Sequence, residues 1–248
     1  MKEAINLLKT LEENGYEAYL VGGVPRNYYL KLPFHDFDIC TNATPEECKK
    51  IFQEVDDRFA QYGNIRIKNF EITTFRREGN YQNHRKPLKI EYVSSLKEDL
   101  KRRDFIMNTL CLNSNMEYVD YLGARKDLDE KIIRSVGNAE EKLEEDALRI
   151  LRAIRFACTL DFQLEESLKQ AILKKKHLLK SISYERKKEE LNRIFSTKNG
   201  ISMLLEFHLE EDLELPNLKQ ALNCPKEDIW IILDVFDRYP FSKKERFK

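Results

Sequence analysis

Leu20 to Thr41, LVGGVPRNYYLKLPFHDFDICT, constrains this chain more than any other stretch. It reads as a strand ending in Gly22-Gly23, a short helix, a turn at Pro33 and a second strand carrying Asp36 and Asp38. Residues two apart on a strand face the same way. The spacing therefore predicts two carboxylates side by side, with Phe37 and Ile39 turned into a core. Parallel carboxylates repel unless a cation lies between them, and paired oxygen ligands suit Mg²⁺. The glycines let backbone approach a ligand closely, and Arg26 follows at a helix start, a favourable place for phosphate oxygens. A metal-holding acid pair beside a phosphate cradle points to nucleotidyl or phosphoryl transfer. Either half alone is weak, since surface strands often alternate acids and a Gly-Gly pair is usually a turn. Their order and spacing give the signal.

Two later stretches bear on the same chemistry. Arg102 to Asn113, RRDFIMNTLCLN, carries Asp104, whose chemistry would suit accepting from a ribose 2′-hydroxyl, and Arg103, a donor of the kind that phosphate takes. A salt-bridged surface patch is the plain alternative for such a run. In Glu144 to Ala157, EEDALRILRAIRFA, a continuous helix puts Asp146, Arg149 and Arg152 on one face, with Arg155 extending the stripe. Leu148, Ile150, Leu151, Ile154 and Phe156 cover most of the rest. Arginines on a largely buried helix need anionic partners. A phosphate-rich ligand is the economical one; Glu144, Glu145 and acids from other helices are the alternative.

The first stretch resembles the active-site motif of the class II tRNA nucleotidyltransferase (CCA-adding enzyme) and bacterial poly(A) polymerase family, within the DNA polymerase β superfamily. It departs from the family pattern at Asn27, where an acid usually follows the arginine. RRDF with Asn108 resembles the family's sugar- and phosphate-contacting motif, with Thr109 in place of the usual alanine. EEDALR resembles its amino-acid template, and SYERKKEELNRIF, Ser183 to Phe195, a supporting element at the junction of head and neck. The likeness covers about residues 16–195.

That resemblance implies an α+β protein. A polymerase-β-like head with a mixed sheet flanked by helices occupies residues 1–138, a helical neck 139–198 and a short helical body 199–248, stopping well short of the family's long helical tail. It implies catalytic carboxylates at Asp36, Asp38 and Glu71, with Mg²⁺ on Asp36 and Asp38. Gly22, Gly23, Arg26, Arg103, Asp104 and Asn108 would bind nucleotide in the head, and Asp146, Arg149, Arg152 and Arg155 in the neck. For Glu71 a solvated strand glutamate is nearly as good a reading of the residues alone. In the family Asp146 and Arg149 would pair with the incoming base. An aspartate only accepts and an arginine only donates, so the pair admits cytosine and adenine and leaves buried groups unpaired against guanine and uracil. The implied partners are tRNA, CTP and ATP, with neither DNA nor membrane. Addition of A alone, CC alone or poly(A) shares all these motifs, and a silent RNA-binding relative would keep the fold.

Composition sets outer limits. The 248 residues suffice for a sizeable core, and 42% hydrophobic with 35% charged residues suits a soluble, cytoplasmic globular protein. Lysines plus arginines equal aspartates plus glutamates at 43 each, so RNA binding must come from local patches. The N-terminus reads as an amphipathic helix and no apolar run reaches membrane length. The five cysteines are scattered, without metal or disulfide spacing. Thr44-Pro45-Glu46-Glu47 has a helix-start pattern, Asn64 to Phe75 that of a hairpin about Asn69, and Arg77 to Lys89 that of a long mobile loop. By the family resemblance that loop would reposition the template between C and A addition, and because family members that add only CC have it shortened, its length here implies an enzyme that adds the terminal A. From Asn138 onward no stretch reads as strand.

Overall fold

The computed structural model describes residues 1–82 and 86–241, without the side chains of residues 80–88. The chain divides into two compact units, the first holding residues 1–80 and 87–130 and the second built on Lys131–Lys248.

The first unit opens with α1 (Lys2–Glu13), whose Ala4, Leu8 and Leu11 recur at helical spacing and are buried. β1 (Ala18–Val21), α2 (Gly23–Tyr29) and β2 (Phe37–Thr41) follow. α3 (Pro45–Ile51) starts as its sequence requires: Thr44 Oγ1 accepts from the Glu47 N–H, Glu47 reaches back to the Thr44 N–H, and Pro45 takes the first helical position. β3 (Asn64–Ile67) and β4 (Phe70–Thr74) form the expected hairpin, with Lys68 in the turn at positive φ.

β5 (Arg76–Gln82) and β6 (Lys86–Tyr92) then pair as a two-stranded sheet. This corrects the reading of 77–89 as a loop over its described residues. The polar run Arg77–Asn80 gives the first strand no hydrophobic period in the sequence, and the alternation of Leu88, Ile90 and Tyr92 begins only at the end of that stretch. The unit closes with α4 (Leu96–Leu100), β7 (Cys111–Leu112), β8 (Tyr118–Val119) and α5 (Ala124–Glu130).

Six strands make one mixed sheet in the order β3-β4-β2-β1-β7-β8, with β2 parallel to β4 and the other neighbours antiparallel. One face carries Leu20, Ile39, Ile65 and Ile72 into a core shared with the buried side of α1. On the other face Val21, Cys40 and Cys111 pack with Phe75 and with Leu96 and Leu100 of α4. The same face is open at Asp38, which is exposed.

The second unit begins at β9 (Ile132–Ile133), which pairs in parallel with β10 (Gln163–Leu164). That pairing accompanies the grouping of 131–137 with this compact unit, which begins at Lys131. It also corrects the expectation of a purely helical second part, because two-residue strands carry no readable period. The rest is helical: α6 (Ala139–Glu145), α7 (Leu148–Leu160), α8 (Glu166–Lys175), α9 (Tyr184–Ile194), α10 (Gly200–Glu206) and α11 (Ile229–Leu233). α7 packs on α9 and α10, and α6 on α8. No helix among the described residues is long and apolar enough to cross a membrane. The five cysteines are free.

Candidate active site

β2 begins at Phe37, so Asp36 stands one residue ahead of the strand and only Asp38 is presented by it. Phe37 does turn towards the core, edge-on to Phe34 and Phe70 at 5.8 and 5.7 Å between ring centroids. The sheet also sets a second carboxylate beside Asp38. Asp38 is the register partner of Glu71 across the parallel β2–β4 ladder. Register partners share a face and lie one strand spacing apart. Glu71 Oε1 accepts from Asn64 Nδ2 at 3.4 Å, and Asn64 Oδ1 in turn accepts from Arg76 Nη1 at 2.8 Å. Arg76 is itself anchored on Glu78 at 2.7 Å.

On the other side of Asp38 lies the glycine turn. Gly22 has φ +77°, a conformation that favours glycine, and a Cβ built there would stand 3.4 Å from Asp38 Oδ2. Gly23 opens α2, and Arg26 on its inner side is buried. Arg26 donates from Nε and Nη2 to Asn27 Oδ1 at 3.0 and 2.8 Å, and from Nη1 to Asn108 Oδ1 at 2.6 Å. Asn27 Nδ2 is tied to the Pro33 carbonyl at 2.7 Å, and Asn108 Nδ2 to Asp104 Oδ1 at 3.0 Å. The neutral amide of Asn27 therefore helps to orient the arginine. Asp104 Oδ1 also accepts from the Phe105 N–H at 2.7 Å. The sequence reading named Arg26, Asp104 and Asn108 separately, and the fold joins them in one chain of hydrogen bonds.

Arg103 is held elsewhere. Its Nη2 meets Asp99 Oδ2 at 3.0 Å, and Asp99, fully buried, also takes Arg102 Nε at 2.8 Å and the Arg76 N–H at 3.1 Å. The salt-bridged alternative for this Arg-Arg-Asp run thus describes its two arginines. Neither Asp99 nor Glu78 was singled out from sequence. An acid three and four residues before two arginines, Asp99 ahead of Arg102 and Arg103, was the available signal.

In the second unit the expected continuous helix is broken. Asp146 ends α6 with extended φ/ψ, its Oδ1 accepts from the Leu148 N–H at 3.1 Å, and α7 starts beyond it. The Arg149 N–H still bonds the Asp146 carbonyl at 3.0 Å, which keeps the two residues adjacent. Arg149 Nη1 donates to Glu145 Oε2 and to the Lys142 carbonyl, both at 2.8 Å. Arg155 Nε lies 2.7 Å from Glu190 Oε2, and Arg152 3.9 Å from Glu190 Oε1. Both guanidinium groups also stand over the Phe156 ring, at 5.5 Å for Arg152 and 4.1 Å for Arg155. Acids of the protein therefore supply the anions that the sequence argument sought in a ligand. Glu190 lies in the SYERKKEELNRIF element, which gives that element an electrostatic role on α7. Lys174 and Lys175 likewise pair with Glu140 and Glu144.

Among the described residues no group of three or more His, Cys, Asp or Glu side chains is placed to hold a metal ion. Mg²⁺ does not need an all-protein cage. One or two carboxylates plus substrate phosphates are its usual ligands, and the Asp38–Glu71 register pair meets that requirement.

Two family patterns match the chain: the poly A polymerase head domain over residues 18–134, and the probable RNA- and SrmB-binding site of polymerase A over residues 161–222. The CCA-adding enzyme of Bacillus subtilis is 38% identical over 249 residues, covering 93% of this chain and 63% of that protein. The CCA-adding enzyme of Ligilactobacillus salivarius is 44% identical over 210 residues, covering 83% of this chain and 52% of that protein. The crystal structure of the Bacillus stearothermophilus CCA-adding enzyme in complex with CTP superposes with a TM-score of 0.83 at 33% identity, covering 94% of this chain and 62% of that one. The chain thus spans between about half and just under two thirds of the length of these relatives.

Proposed function

The chain belongs to the poly A polymerase head-domain family, and from that premise we propose that it is a nucleotidyltransferase adding the 3′-terminal CCA to tRNA from CTP and ATP. The observation that supports this best is the row Val21–Asp38–Glu71 across three strands, with the Gly22 turn and the Arg26 clamp beside it. It sets carboxylates and phosphate donors on one sheet face, as a reaction at a nucleotide phosphate requires.

In this reading Asp36 and Asp38 hold Mg²⁺, with Glu71, in register with Asp38, as the third carboxylate. When bound, Mg²⁺ would lower the pKa of the RNA 3′-hydroxyl and neutralise charge building on the triphosphate. Gly22, Gly23 and Arg26 receive the triphosphate, and Asn27 and Asn108 fix the guanidinium so that little orientational freedom is lost on binding. Asp104 accepts from the ribose 2′-hydroxyl. Asp146 and Arg149 read the Watson–Crick edge of the base without a nucleic-acid template. Arg103 and Arg155, each on a buried carboxylate, are positioning residues. Arg152, a third exposed, is the phosphate ligand of α7.

The test offers Mg²⁺, CTP and ATP to tRNA lacking CCA, tRNA ending in CC, and an unstructured RNA. Extension of the first by three nucleotides is the expected outcome, and Asp38→Ala should lower it by several orders of magnitude, as loss of a metal ligand does. Extension of the second alone makes the chain an A-adding enzyme, and a long adenylate ladder on the third makes it a poly(A) polymerase. Arrest after CC despite ATP makes it a CC-adding enzyme. No incorporation on any RNA leaves the silent RNA-binding relative.

A further inference from the structure

The row of register partners does not stop at Glu71. Arg66 on β3 pairs with Glu71, and Asp56 pairs with Arg66 through an isolated bridge, so Asp38, Glu71, Arg66 and Asp56 follow one another across the sheet on one face. Beyond Glu71 a cavity of about 300 Å³ is lined by Asn64, Arg66, Asp56, Arg58 and Phe59 as well as Glu71 itself. Arg58 is committed to Asp56, with Nε 2.9 Å from Oδ1. Arg66 is exposed and makes no ion pair among the described residues. Phe59 is 60% exposed, yet it is not on a loose loop: its carbonyl accepts from the Tyr62 N–H at 2.9 Å, inside a one-turn helix closed at Gly63. A solvent-facing aromatic ring on an ordered backbone turn, beside an exposed guanidinium and the carboxylate in register with Asp38, is a combination that stability does not require.

Resting on the nucleotidyltransferase reading, we infer that this cavity seats the 3′-terminal nucleotide of the RNA primer, its base stacked on Phe59 and its 5′-phosphate on Arg66. The direction of the reaction argues for this side. In phosphoryl transfer the attacking and departing oxygens lie roughly in line on opposite sides of the phosphorus. The Gly22–Gly23 turn and Arg26 lie on the β1 side of Asp38, so pyrophosphate leaves there and the 3′-hydroxyl must enter from the β4 and β3 side. On that side Glu71 comes first, then Arg66, then Phe59. Every base has a π-face, so stacking tolerates any primer sequence, as a site serving many tRNAs must. The volume is at the small end for ligand cavities, enough for one nucleotide and too little for a duplex.

The test uses the full chain and a hairpin RNA whose 3′-terminal base is 2-aminopurine. The fluorescence of that base should be quenched on binding to the unaltered chain and recover in Phe59→Ala. In steady-state incorporation, Phe59→Ala and Arg66→Ala should each raise KM for the RNA roughly tenfold or more while KM for CTP stays within about twofold. Arg66→Ala should also flatten the salt dependence of RNA affinity by about 0.7 in log–log slope, the share of one single-strand phosphate contact. Both side chains are exposed, so neither change leaves a cavity in the core. Quenching that survives Phe59→Ala, or KM values for RNA and CTP that rise together, overturns the inference. If the unaltered chain incorporates nothing, the nucleotidyltransferase reading falls. The quench, read without turnover, still decides the subsite: present and lost with Phe59 it stands, absent it falls.

Discussion

Asp99 accepts from Arg102, Arg103 and the Arg76 N–H while fully buried. Burial alone would raise its pKa, but the guanidinium groups of Arg103 and Arg102 outweigh it and hold the carboxyl below the usual carboxylate range. A folded-state pKa below the unfolded value of about 3.9 contributes stability that is present at neutral pH and lost as pH falls through the folded value. Asp99→Asn removes that charge from beside two largely buried guanidinium groups, of which Arg102 keeps Glu78 at 3.1 Å and Arg103 loses its carboxylate partner. The expected loss is about 3–5 kcal/mol at pH 7, measured by urea unfolding. The variant should also show a flatter decline in stability below about pH 4, and an unchanged acid limb would place the acid sensitivity elsewhere. Arg103 reads as a ligand-facing cation when its motif is taken alone, and the acid four residues ahead of it, Asp99, is the local signal that gives its partner.

At the level of elements, the break between α6 and α7 decides how the template pair is presented. Asp146 serves two purposes there, an acceptor for the Leu148 N–H at the start of α7 and, in the proposed reaction, an acceptor for the base amino group. Asp146→Asn separates them. The amide oxygen can still take the Leu148 N–H, so the melting temperature should stay within a few degrees, whereas Asp146→Ala should cost about 1 kcal/mol as a lost cap. Selection should not survive either change. Discrimination of CTP and ATP against UTP and GTP, measured as ratios of kcat/KM, should fall at least tenfold in both and in Arg149→Ala. Ratios that stay constant while all rates drop together would return these residues to a structural role. The helical period places Asp146 on the arginine face of one helix. The structure instead ends α6 at Asp146 and starts α7 after it, which a count of apolar spacing cannot detect.

For the molecule as a whole, the division at Lys131 has a consequence for fragments. A chain from Lys131 to Lys248 keeps β9 with its parallel partner β10, together with Ile133, fully buried, and Val136, 5% exposed. A chain starting at Asn138 loses the strand and both side chains. Removal of a buried isoleucine alone costs on the order of 2–5 kcal/mol. The shorter fragment should therefore melt lower by roughly 10 °C or more, as read by circular dichroism. Equal melting temperatures would mean that the second unit does not depend on 131–137.

What the sequence determined by itself is what local physics can encode. The capping box at Thr44, the helical spacing of α1, the hairpin from Asn64 to Thr74 and the strand–glycine–helix–strand order around Asp38 each depend on residues a few positions apart. Their chemistry is legible wherever they fold. The tertiary structure alone decided which charges meet. Asp38 stands in register with Glu71, 33 positions on, and Arg26 is fixed by Asn108, 82 positions on. Arg155 has Glu190 as its counterion, and β5 pairs with β6 where composition suggests a loop. Ion pairs and strand register join distant parts of the chain, and their strength depends on burial and dielectric. Those quantities do not exist until the chain has folded.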